Sequence, residues 1–447
     1  ICQNFEVGVD VVKTVRVGLI GVGTVGRGVF DVLNRNCEEI SRRAGCEIIV
    51  SAACARDLDK AKDFLGPTIK LYRDPLEVVR DKNVDVVIEL IGGVTTARAV
   101  IEASIALAKP VVTANKALIA EQGNDLFALA KKSGSMVAFE AAVAGGIPII
   151  KALREGLSAN RIESVAGILN GTTNFILSEM RTNGLSFQDA LSEAQRLGYA
   201  EADPTFDVEG IDAGQKLAII ASLSFGIPIQ PEKVYCEGIT DLTEGDIRAA
   251  EDFGYRVKLL AITKRRDHGF EMRVHPTLVP QNCVIASVDG AMNAVLVQGD
   301  AVGQTLYYGA GAGAEPTASA VIADLVDVVR LRDAAASAQV PYFAFQTDRL
   351  NDVPILDMGE VESPCYLRVR VRDEPGVLAS IAGILAEYGV SIEAMRQRES
   401  EGGHAGVDIV IFTHTTNEKS INDSLKKINA LDSVFDMPVR LRIETFS

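Results

Sequence analysis

The sequence predicts an α/β fold: a Rossmann-type parallel sheet, then an α+β region, then a ferredoxin-like βαββαβ module. Three observations lead to this prediction. Apolar strand patterns alternate with helical patterns through the first third of the chain. A glycine-rich turn directly follows the first strand pattern. Beyond residue 364, short alternating strands return in a different order, on the far side of a proline-containing stretch.

The composition limits the classes of function. A chain of 447 residues with 47% hydrophobic content can build two or three domains with buried cores. Its net charge of −15 argues against nucleic acid as a partner. Seven scattered cysteines without a CxxC pair indicate reduced thiols, and neither a signal peptide nor a membrane-spanning segment is visible. We therefore expect a cytoplasmic protein that acts on small molecules and makes no membrane contact.

The stretch "VRVGLIGVGTVGRGVFDVL", residues 15–33, has the pattern of a strand, a glycine-rich turn and a helix. In such a turn the first glycine allows the tight bend, and the second lets a pyrophosphate approach the backbone. The third lets the helix pack against the strand, so that the helix N-terminus faces the anion. We assign to a dinucleotide site the residues Gly21, Gly23, Thr24, Val25 and Gly26.

The end of the second strand bears on which dinucleotide binds. The strand pattern over 48–55 ends in Ala55 and is followed by Arg56 and Asp57. An arginine here suits the 2′-phosphate of NADP, whereas an acid would bind the ribose hydroxyls of NAD. The pattern favours NADP through Arg56, while Asp57 keeps NAD possible and Arg56 can equally be an ordinary solvated charge.

Further strands are predicted over 84–93, 110–116 and 135–143, with helices near 95–108 and 120–133. Ligands of such sheets bind at the carboxyl ends of the strands. We therefore place Gly93, Thr95 and Lys116 at the cofactor edge. Lys116 is expected to end its strand, where a solvated lysine is the alternative interpretation.

A single lysine stands out in "GYAEADPTFDVEGIDAGQKLAIIASLSFG", residues 198–226. Asp212 and Lys216 are four residues apart and so share a helix face. An exposed ion pair is the simple interpretation, but residues 217–225 are apolar apart from Ser222 and Ser224. A lysine that opens a buried helix loses hydration, its pKa tends to fall, and it becomes able to exchange a proton near neutral pH.

Six motifs, in order over residues 15–335, give the chain its resemblance to the homoserine dehydrogenase family: "GLIGVGTVG", "TANKALIA", "FEAAVAGGIPII", "GILNGTTNFIL", "GYAEADPTFDVEGIDAGQKLAI" and "YYGAGAGAEPTASAVIADL". The resemblance implies a reversible, NAD(P)H-dependent reduction of aspartate 4-semialdehyde to homoserine. That reaction serves threonine, methionine and isoleucine biosynthesis. Two alternatives stay open: an amino-acid-responsive binding protein on a degenerate nucleotide fold, and a Rossmann enzyme that acts on another semialdehyde.

The resemblance also implies roles for residues at matching positions. Lys216 matches the proton-transfer lysine and Lys116 a second active-site lysine. The acidic residues that match substrate ligands are Glu201, Asp207 and Asp212, and the glycines near the cofactor are Gly198 and Gly313. A site for a monovalent cation such as Na⁺ would use Glu140, Val143, Gly145 and Ile147, three of them through backbone carbonyls.

Residues 366–445 form a separate pattern. Apolar positions alternate with arginines over 367–372, a helix is expected over 377–388, and strands near 390–398 and 405–413 flank a hairpin at "ESEGG". A helix near 418–430 and a strand near 434–444 complete the module, which resembles an ACT domain. The resemblance implies an effector, threonine by pathway logic, near Asp373, Gly376, Val377 and Leu378. A module that only dimerises is the alternative, and Glu393-Ala394 departs from the asparagine common in the family.

The predicted organisation has four parts. A nucleotide-binding domain covers 14–150 and takes back a helix from 314–332, and a catalytic and dimerisation domain covers 151–313. Residues 333–364 are predicted to be a linker and 365–447 the ACT domain. We expect a homodimer or homotetramer.

Overall fold

The computed structural model describes residues 13–332, 340–399 and 406–446. The chain divides into two compact units. Unit 1 comprises Ile1–Val165, Gln215–Glu232 and Asn293–Asp352, and unit 2 comprises Ala166–Gly214, Lys233–Met292 and Val353–Ser447. The four-part organisation predicted above stays a prediction, since this division follows contacts rather than sequence motifs.

The first part of unit 1 alternates strands and helices. Their bounds are β1 Thr14–Ile20, α1 Thr24–Arg35, α2 Cys37–Ala44, β2 Glu47–Cys54, α3 Leu58–Leu65, β3 Lys70–Tyr72, α4 Pro75–Arg80, β4 Val86–Glu89, α5 Thr95–Ala106, β5 Val111–Thr113, α6 Lys116–Ser133, β6 Val137–Ala138 and α7 Ile149–Lys151. The six strands pair in parallel in the order β3-β2-β1-β4-β5-β6. This is the doubly wound order of dinucleotide-binding folds, and it confirms the predicted fold class.

Three strands of this sheet are shorter than predicted. Strand β4 occupies only four residues of the predicted 84–93. Strand β5 ends at Thr113, and Lys116 begins helix α6 instead of ending the strand, because the Asn115 side chain caps that helix by accepting from the amide of Leu118. Strand β6 has two residues, and the chain then turns through a 3₁₀ helix at Glu140–Ala142.

The middle of the chain contributes to both units. Its elements are β7 Ile162–Ile168, α8 Gly171–Asn183, α9 Phe187–Arg196, α10 Thr205–Val208, α11 Ile211–Phe225, β8 Tyr235–Cys236, α12 Glu244–Asp252, β9 Tyr255–Arg266, β10 Gly269–Pro280, β11 Met292–Gly299, β12 Gly303–Ala310 and α13 Ala314–Leu331. In unit 1, α13 packs so closely on α1 that a side chain at Gly28 would clash with the carbonyl of Ala314. The two helices share one hydrophobic core with the parallel sheet.

The last elements belong to unit 2: β13 Glu362–Ser363, β14 Cys365–Val371, α14 Val377–Glu387, β15 Ile392–Glu399, β16 Val407–Thr413, β17 Thr416–Asn417, α15 Glu418–Asn429 and β18 Val439–Ile443. Four of these strands form an antiparallel sheet in the order β18-β14-β16-β15, which confirms the βαββαβ module. The predicted hairpin at residues 399–403 lies outside the described residues after Glu399. Within the described ranges, no helix is both long and apolar enough to cross a membrane.

The C-terminal module is continuous with the rest of unit 2. Strand β18 pairs in parallel with β10, with Thr277 opposite Arg442. Two charged pairs cross the junction: the buried Arg273 bonds to the buried Glu444, and the buried Arg442 bonds to the half-buried Glu237 at 3.0 Å. Because removal of the module would take one partner from a buried arginine and one from a half-buried carboxylate, we expect its removal to cause a loss of structure.

The described part of the predicted linker is packed rather than extended. In unit 1, the Tyr342 ring stacks on Phe127 with centroids 4.6 Å apart, and its hydroxyl donates to the carbonyl of Ser135 at 3.0 Å. The amide of Asn351 donates to the carbonyl of Gly226 at 2.6 Å. Residues 340–352 are therefore part of unit 1.

Candidate active site

The glycine-rich turn after β1 has the conformation that a pyrophosphate cradle requires. Gly21 has a φ of +102°, which an L side chain rarely adopts. A side chain at Gly26 would clash with the carbonyl of Gly21, whereas a Cβ at Gly23 would meet nothing within 4 Å. Thr24 and Val25 are the first residues of helix α1. The open face at Gly23 therefore leads to a helix N-terminus that can accept an anion.

A cavity of about 560 Å³ opens beside this turn, and its charges are mostly positive. Four cationic residues line it: Arg27, Arg56, Lys60 and Arg73. Its acid, Asp57, caps helix α3 by accepting from the amide of Lys60 at 3.1 Å, and this hydrogen bond lowers the pKa of the carboxyl. Only Arg56 was singled out from the sequence, although Arg73 directly follows β3 at the same sheet edge.

The loops after β4 and β5 are tied to each other. Gly93 has a φ of +82°, and Thr95 begins helix α5 two residues later. The Asn115 side chain donates to the carbonyl of Gly93 at 2.7 Å. Lys116 follows as a half-buried residue in the first turn of α6. The predicted cofactor residues Gly93, Thr95 and Lys116 thus lie in or directly after two loops. The side-chain amide of Asn115 joins these loops through a hydrogen bond.

Beneath these loops lies an acid that the sequence analysis missed. Glu89 ends β4 with no exposed surface, and its carboxylate accepts from the amide of Ile91 at 2.8 Å and from the hydroxyl of Thr113 at 2.6 Å. Burial raises its pKa to about 7, against the two hydrogen bonds. The sequence signal was an acid within the apolar run "VDVVIELIGG".

The loop proposed for a cation, residues 140–147, is buried at Glu140, Val143, Gly145 and Ile147. Consecutive left-handed residues at Ala144 and Gly145, with φ of 56° and 50°, turn the backbone sharply. The Glu140 carboxylate accepts from the amides of Ile150 at 2.9 Å and Lys151 at 2.8 Å. Burial raises the pKa of Glu140 to about 7, and nearby Asp324 adds to the rise.

The chemistry of this donor set, one carboxylate and backbone carbonyls, fits a hard cation that takes oxygen ligands. Among the described residues, no group of three or more histidine, cysteine or acidic side chains could hold a metal ion. A site made mainly of carbonyl oxygens does not require such a group.

In unit 2, one amide holds two of the predicted substrate acids side by side. Asn170 is 5% exposed, and its Nδ2 donates to Asp207 Oδ1 at 2.7 Å and to Asp212 Oδ2 at 2.8 Å. Its Oδ1 accepts from the amide of Thr173 at 2.8 Å and so caps helix α8. The sequence analysis assigned no role to Asn170, because its partners lie about 40 residues away.

The other two predicted residues of this unit are on its surface. Glu201 is exposed, and its carbonyl accepts from the Gln195 side chain at 3.0 Å. Gly198 has a φ of +79° and ends the turn after helix α9. Glu201 and Gly198 are therefore open to solvent, whereas Asn170 and Asp212 are buried and Asp207 is half-buried.

Helix α11 confirms the prediction of a buried lysine. Asp212 stands in its first turn, 2% exposed, and Lys216 follows one turn later, 9% exposed. Every residue from 217 to 225 is buried. The boundary between the two units falls between residues 214 and 215, so Asp212 belongs to unit 2 and Lys216 to unit 1.

Gly313, the remaining predicted cofactor residue, lies at the N-terminus of helix α13 with a φ of +125°. The loop before it is tightly packed within unit 1. A side chain at Gly311 would clash with the buried amide of Asn293, and one at Gly145 would clash with the carbonyl of Gly311. The cation loop and the Gly313 loop are therefore in backbone contact.

The predicted effector turn is formed in unit 2. Gly376 has a φ of +94° and precedes helix α14, which begins at Val377. Asp373 Oδ1 accepts from the Gln397 side chain at 3.2 Å on strand β15. Val377 is buried, whereas Leu378 is 36% exposed. The turn thus exposes residues 373–376 and the side chain of Leu378 to solvent.

Comparison with known families matches three segments of the chain. Residues 21–140 match the homoserine dehydrogenase NAD-binding domain, residues 148–326 match homoserine dehydrogenase, and residues 366–433 match the ACT domain. Homoserine dehydrogenase from Pseudomonas aeruginosa is 55% identical over 432 residues, which cover 97% of this chain and 99% of that protein. The enzyme from Neisseria gonorrhoeae is 53% identical, with the same coverage of both chains.

Solved structures agree with these sequence matches. The crystal structure of a homoserine dehydrogenase from Thiobacillus denitrificans superimposes with a TM-score of 0.92 and 58% identity, over 97% of this chain and 99% of that one. The S. aureus enzyme gives a TM-score of 0.73 at 31% identity, over 96% of this chain and 99% of that one. With its NAD-binding domain, catalytic region and ACT domain all matched, the chain belongs to the homoserine dehydrogenase family of oxidoreductases.

Proposed function

We propose that this enzyme reversibly reduces L-aspartate 4-semialdehyde to L-homoserine with NADPH, in threonine, methionine and isoleucine biosynthesis. One observation carries the proposal: a buried lysine, Lys216, stands one helical turn after a buried carboxylate, Asp212, that Asn170 holds beside Asp207. A lysine in this setting can give up a proton, and carboxylates can hold the ammonium group of an amino-acid substrate.

The residues account for the chemistry as follows. NADPH held at the Gly21–Gly26 turn would supply a hydride to the aldehyde carbon. The Lys216 ammonium stabilises the negative charge that develops on the carbonyl oxygen and then protonates it. Lys116, at the N-terminus of α6, supplies a second positive charge. Glu201, Asp207 and Asp212 bind the substrate ammonium, and in the oxidation of homoserine Lys216 takes the proton back.

The proposed cofactor site consists of Gly21, Gly23, Thr24, Val25, Gly26, Arg56, Gly93, Thr95, Lys116, Gly198 and Gly313. Preference for NADP is supported by the four cations of the cavity beside Gly23. It is supported further by Asp57, whose carboxylate is engaged as a helix cap rather than free for a ribose. A hyperthermophilic archaeal homoserine dehydrogenase, 27% identical with a TM-score of 0.60, has been solved in complex with NADPH.

A monovalent cation such as Na⁺ is proposed for the loop of Glu140, Val143, Gly145 and Ile147. The sharp turn at Ala144 and Gly145 and the oxygen-only donor set support it. A titration with NaCl, against choline chloride at equal ionic strength, should raise the melting temperature and turnover. Equal responses to the two salts would argue against the site.

The ACT domain is proposed to bind threonine at Asp373, Gly376, Val377 and Leu378 and to inhibit the enzyme, with the chain assembled as a homodimer or homotetramer. A threonine titration of Gly376→Asp against the wild type tests this, with oligomer size measured in parallel. Loss of inhibition without a change in size supports the effector site. If threonine does not inhibit the wild type, the module is a dimerisation element or a sensor of another amino acid.

The function is tested with Lys216→Ala, which removes the proton relay and leaves the Gly21–Gly26 turn intact. We expect a strong fall in turnover with homoserine and near-normal NADPH binding, while an exposed control, Lys132→Ala, behaves as wild type. Glu201→Gln should raise the KM for homoserine more than that for the cofactor. The assignment is contradicted if Lys216→Ala turns over homoserine as fast as the wild type. It is also contradicted if the wild type turns over another semialdehyde faster.

Cofactor choice is tested with Arg56→Ala. Losing a charge-assisted contact worth about 1.5–3 kcal/mol should raise the KM for NADP about ten- to a hundredfold and leave that for NAD unchanged. The control is Lys62→Ala on the exposed side of α3. If both cofactors respond alike, Arg56 is only a loop charge.

A further inference from the structure

Glu89 is a buried acid at the ligand edge of the parallel sheet that the proposed chemistry does not use. It is the last residue of β4 and is 0% exposed. A buried acid is costly unless its oxygens are hydrogen-bonded, so its partners indicate what it is for. Its two carboxylate oxygens bond to the loop after β4 and to the end of β5, at the proposed cofactor edge.

Glu89, Thr113 and Asn115 form a hydrogen-bond network, and its first half joins two strands at their ends. The amide of Ile91 donates to Glu89 Oε1 at 2.8 Å, and the hydroxyl of Thr113, the last residue of β5, donates to Glu89 Oε2 at 2.6 Å. The same hydroxyl oxygen accepts from the amide of Asn115 at 3.0 Å. Glu89 and Thr113 therefore connect the backbone after β4 to the backbone after β5.

The second half of the network is made by the Asn115 side chain. Its Nδ2 donates to the carbonyl of Gly93 at 2.7 Å and to that of Ile91 at 3.2 Å. Its Oδ1 accepts from the amide of Leu118 at 3.1 Å and so caps helix α6, whose first residue is Lys116. One side chain thus bonds to the β4 loop and starts the helix that carries the lysine.

These bonds fix the position of Lys116 relative to the loop from Leu90 to Gly92, which lines the cavity beside the glycine-rich turn. We propose that Glu89, Thr113 and Asn115 are positioning residues that lock the cofactor loop to the helix carrying Lys116. This inference rests on the proposed function, because it takes the cavity as the cofactor site and Lys116 as an active-site group. None of the three residues needs to touch a reacting atom.

The network requires hydrogen-bonding atoms at position 89 rather than a negative charge. Glutamine at this position keeps an acceptor for the Ile91 amide and turns an NH₂ group toward the Thr113 oxygen, which can accept. Methionine keeps the volume but leaves the Ile91 amide and the Thr113 hydroxyl without their partner. Comparison of Glu89→Gln with Glu89→Met therefore separates the effect of the hydrogen bonds from the effect of side-chain packing.

The experiment measures NADPH dissociation constants by fluorescence without substrate, together with kcat and both KM values, for full-length variants. Thr113→Val and Glu89→Met should each weaken NADPH binding and lower kcat about tenfold, as expected for a broken hydrogen bond in a positioned site, with the KM for homoserine within about twofold. Glu89→Gln should stay within about threefold of wild type. Asn115 is half-buried, and serine there keeps a helix cap. Asn115→Ser should therefore weaken NADPH binding and lower kcat as Thr113→Val does.

The control is Ser104→Ala, which removes a buried hydrogen bond to the carbonyl of Val100 at 2.8 Å within α5 of the same unit. It should lower the melting temperature without changing NADPH affinity or kcat. The proposal is overturned if Thr113→Val and Asn115→Ser change NADPH binding no more than Ser104→Ala, or if Glu89→Gln fails like Glu89→Met. Failure of the proposed function is recognised separately, since the wild type would then not oxidise homoserine whatever the variants do.

Discussion

The two units assemble their candidate site residues in different ways. In unit 1 the turn from Gly21 to Gly26 is made by the main chain, and a side chain at two of its three glycines would collide with a neighbouring carbonyl. In unit 2 the acids Asp207 and Asp212 are set side by side by the side chain of Asn170, about 40 residues before them. One site is built from residues adjacent in sequence, and the other from residues brought together by folding.

The two kinds of site are sensitive to different substitutions. A main-chain site fails when any side chain is added, because the space or the φ angle is lost. A side-chain site fails when one member of a buried polar group is removed, because its partners are left unsatisfied.

The largest effect should come from removing the residues after Pro364. This truncation deletes Glu444 and Arg442, so the buried Arg273 keeps only Glu271 of its two carboxylate partners and the half-buried Glu237 loses Arg442; breaking a buried pair costs about 3–5 kcal/mol. Such a loss approaches the whole stability of a typical domain, about 5–15 kcal/mol. We expect insoluble or largely unfolded protein by thermal melting. An exposed substitution in the same module, Met437→Ala, should melt as wild type, and a truncated chain with wild-type stability would contradict the interpretation.

The second test adds a methyl group to the main-chain site of unit 1. Gly26→Ala should reduce both cofactor affinity and melting temperature, because its Cβ would collide with the Gly21 carbonyl. Gly23→Ala should leave the melting temperature unchanged, because its Cβ meets nothing within 4 Å, but should weaken NADPH binding at least tenfold. Calorimetry of both variants with and without NADPH distinguishes them. Equal losses of stability would argue that Gly23 serves packing rather than ligand approach.

The third test removes the amide that organises the acids of unit 2. Asn170→Ser keeps a cap for α8 but cannot donate to both Asp207 and Asp212. We expect the KM for homoserine to rise about tenfold with NADPH binding unchanged, by steady-state kinetics and fluorescence titration. Asn170→Asp should raise the KM for homoserine further, since a third carboxylate repels those of Asp207 and Asp212. A rise in cofactor KM of the same size would contradict a role confined to the substrate acids.

The smallest effect concerns pH and separates two buried acids. Burial raises the pKa of Glu89 in unit 1 to about 7. Burial alone would also raise that of Glu444 in unit 2, but Arg273 and Lys264 outweigh it and lower the pKa to about 2. Glu89 binds its proton more tightly folded than unfolded, so its contribution to stability is present below pH 4.5 and is lost as the pH rises through 7. The contribution of Glu444 is present above pH 4.5 and is lost as the pH falls through 2.

Unfolding free energies measured in urea between pH 5 and 8 check the sign for Glu89. Glu89→Gln should flatten the decline that the wild type shows over this range, by about 3 kcal/mol at most, because glutamine does not titrate. A variant with the same slope as the wild type would show that other groups cause it. Lys264→Met should lessen stability mainly above pH 4.5, where the contribution of Glu444 to stability is fully present.

The main-chain features of the fold could be predicted from the sequence, and the side-chain features largely could not. The alternating strands, the Gly21–Gly26 turn and the buried helix after Lys216 follow from local periodicity, so each was found. Glu89 and Asn170 were not given roles, because their partners Thr113, Asp207 and Asp212 are 24 to 42 residues away. Strand pairing of β18 with β10 spans a still longer separation and leaves no local signal.

The pairing of β18 with β10 also has a consequence for the order of folding. Unit 2 collects segments that begin at residues 166, 233 and 353, and β10 gains the partner strand at 439–443 only after the segments between have been translated. Until then Arg273 has no Glu444, and an edge of a long hairpin is open to other strands. The parallel sheet of unit 1 also waits for α13, but that helix is complete at residue 331. On the ribosome, unit 2 is therefore expected to be the later unit to fold and the one that depends more on chaperones.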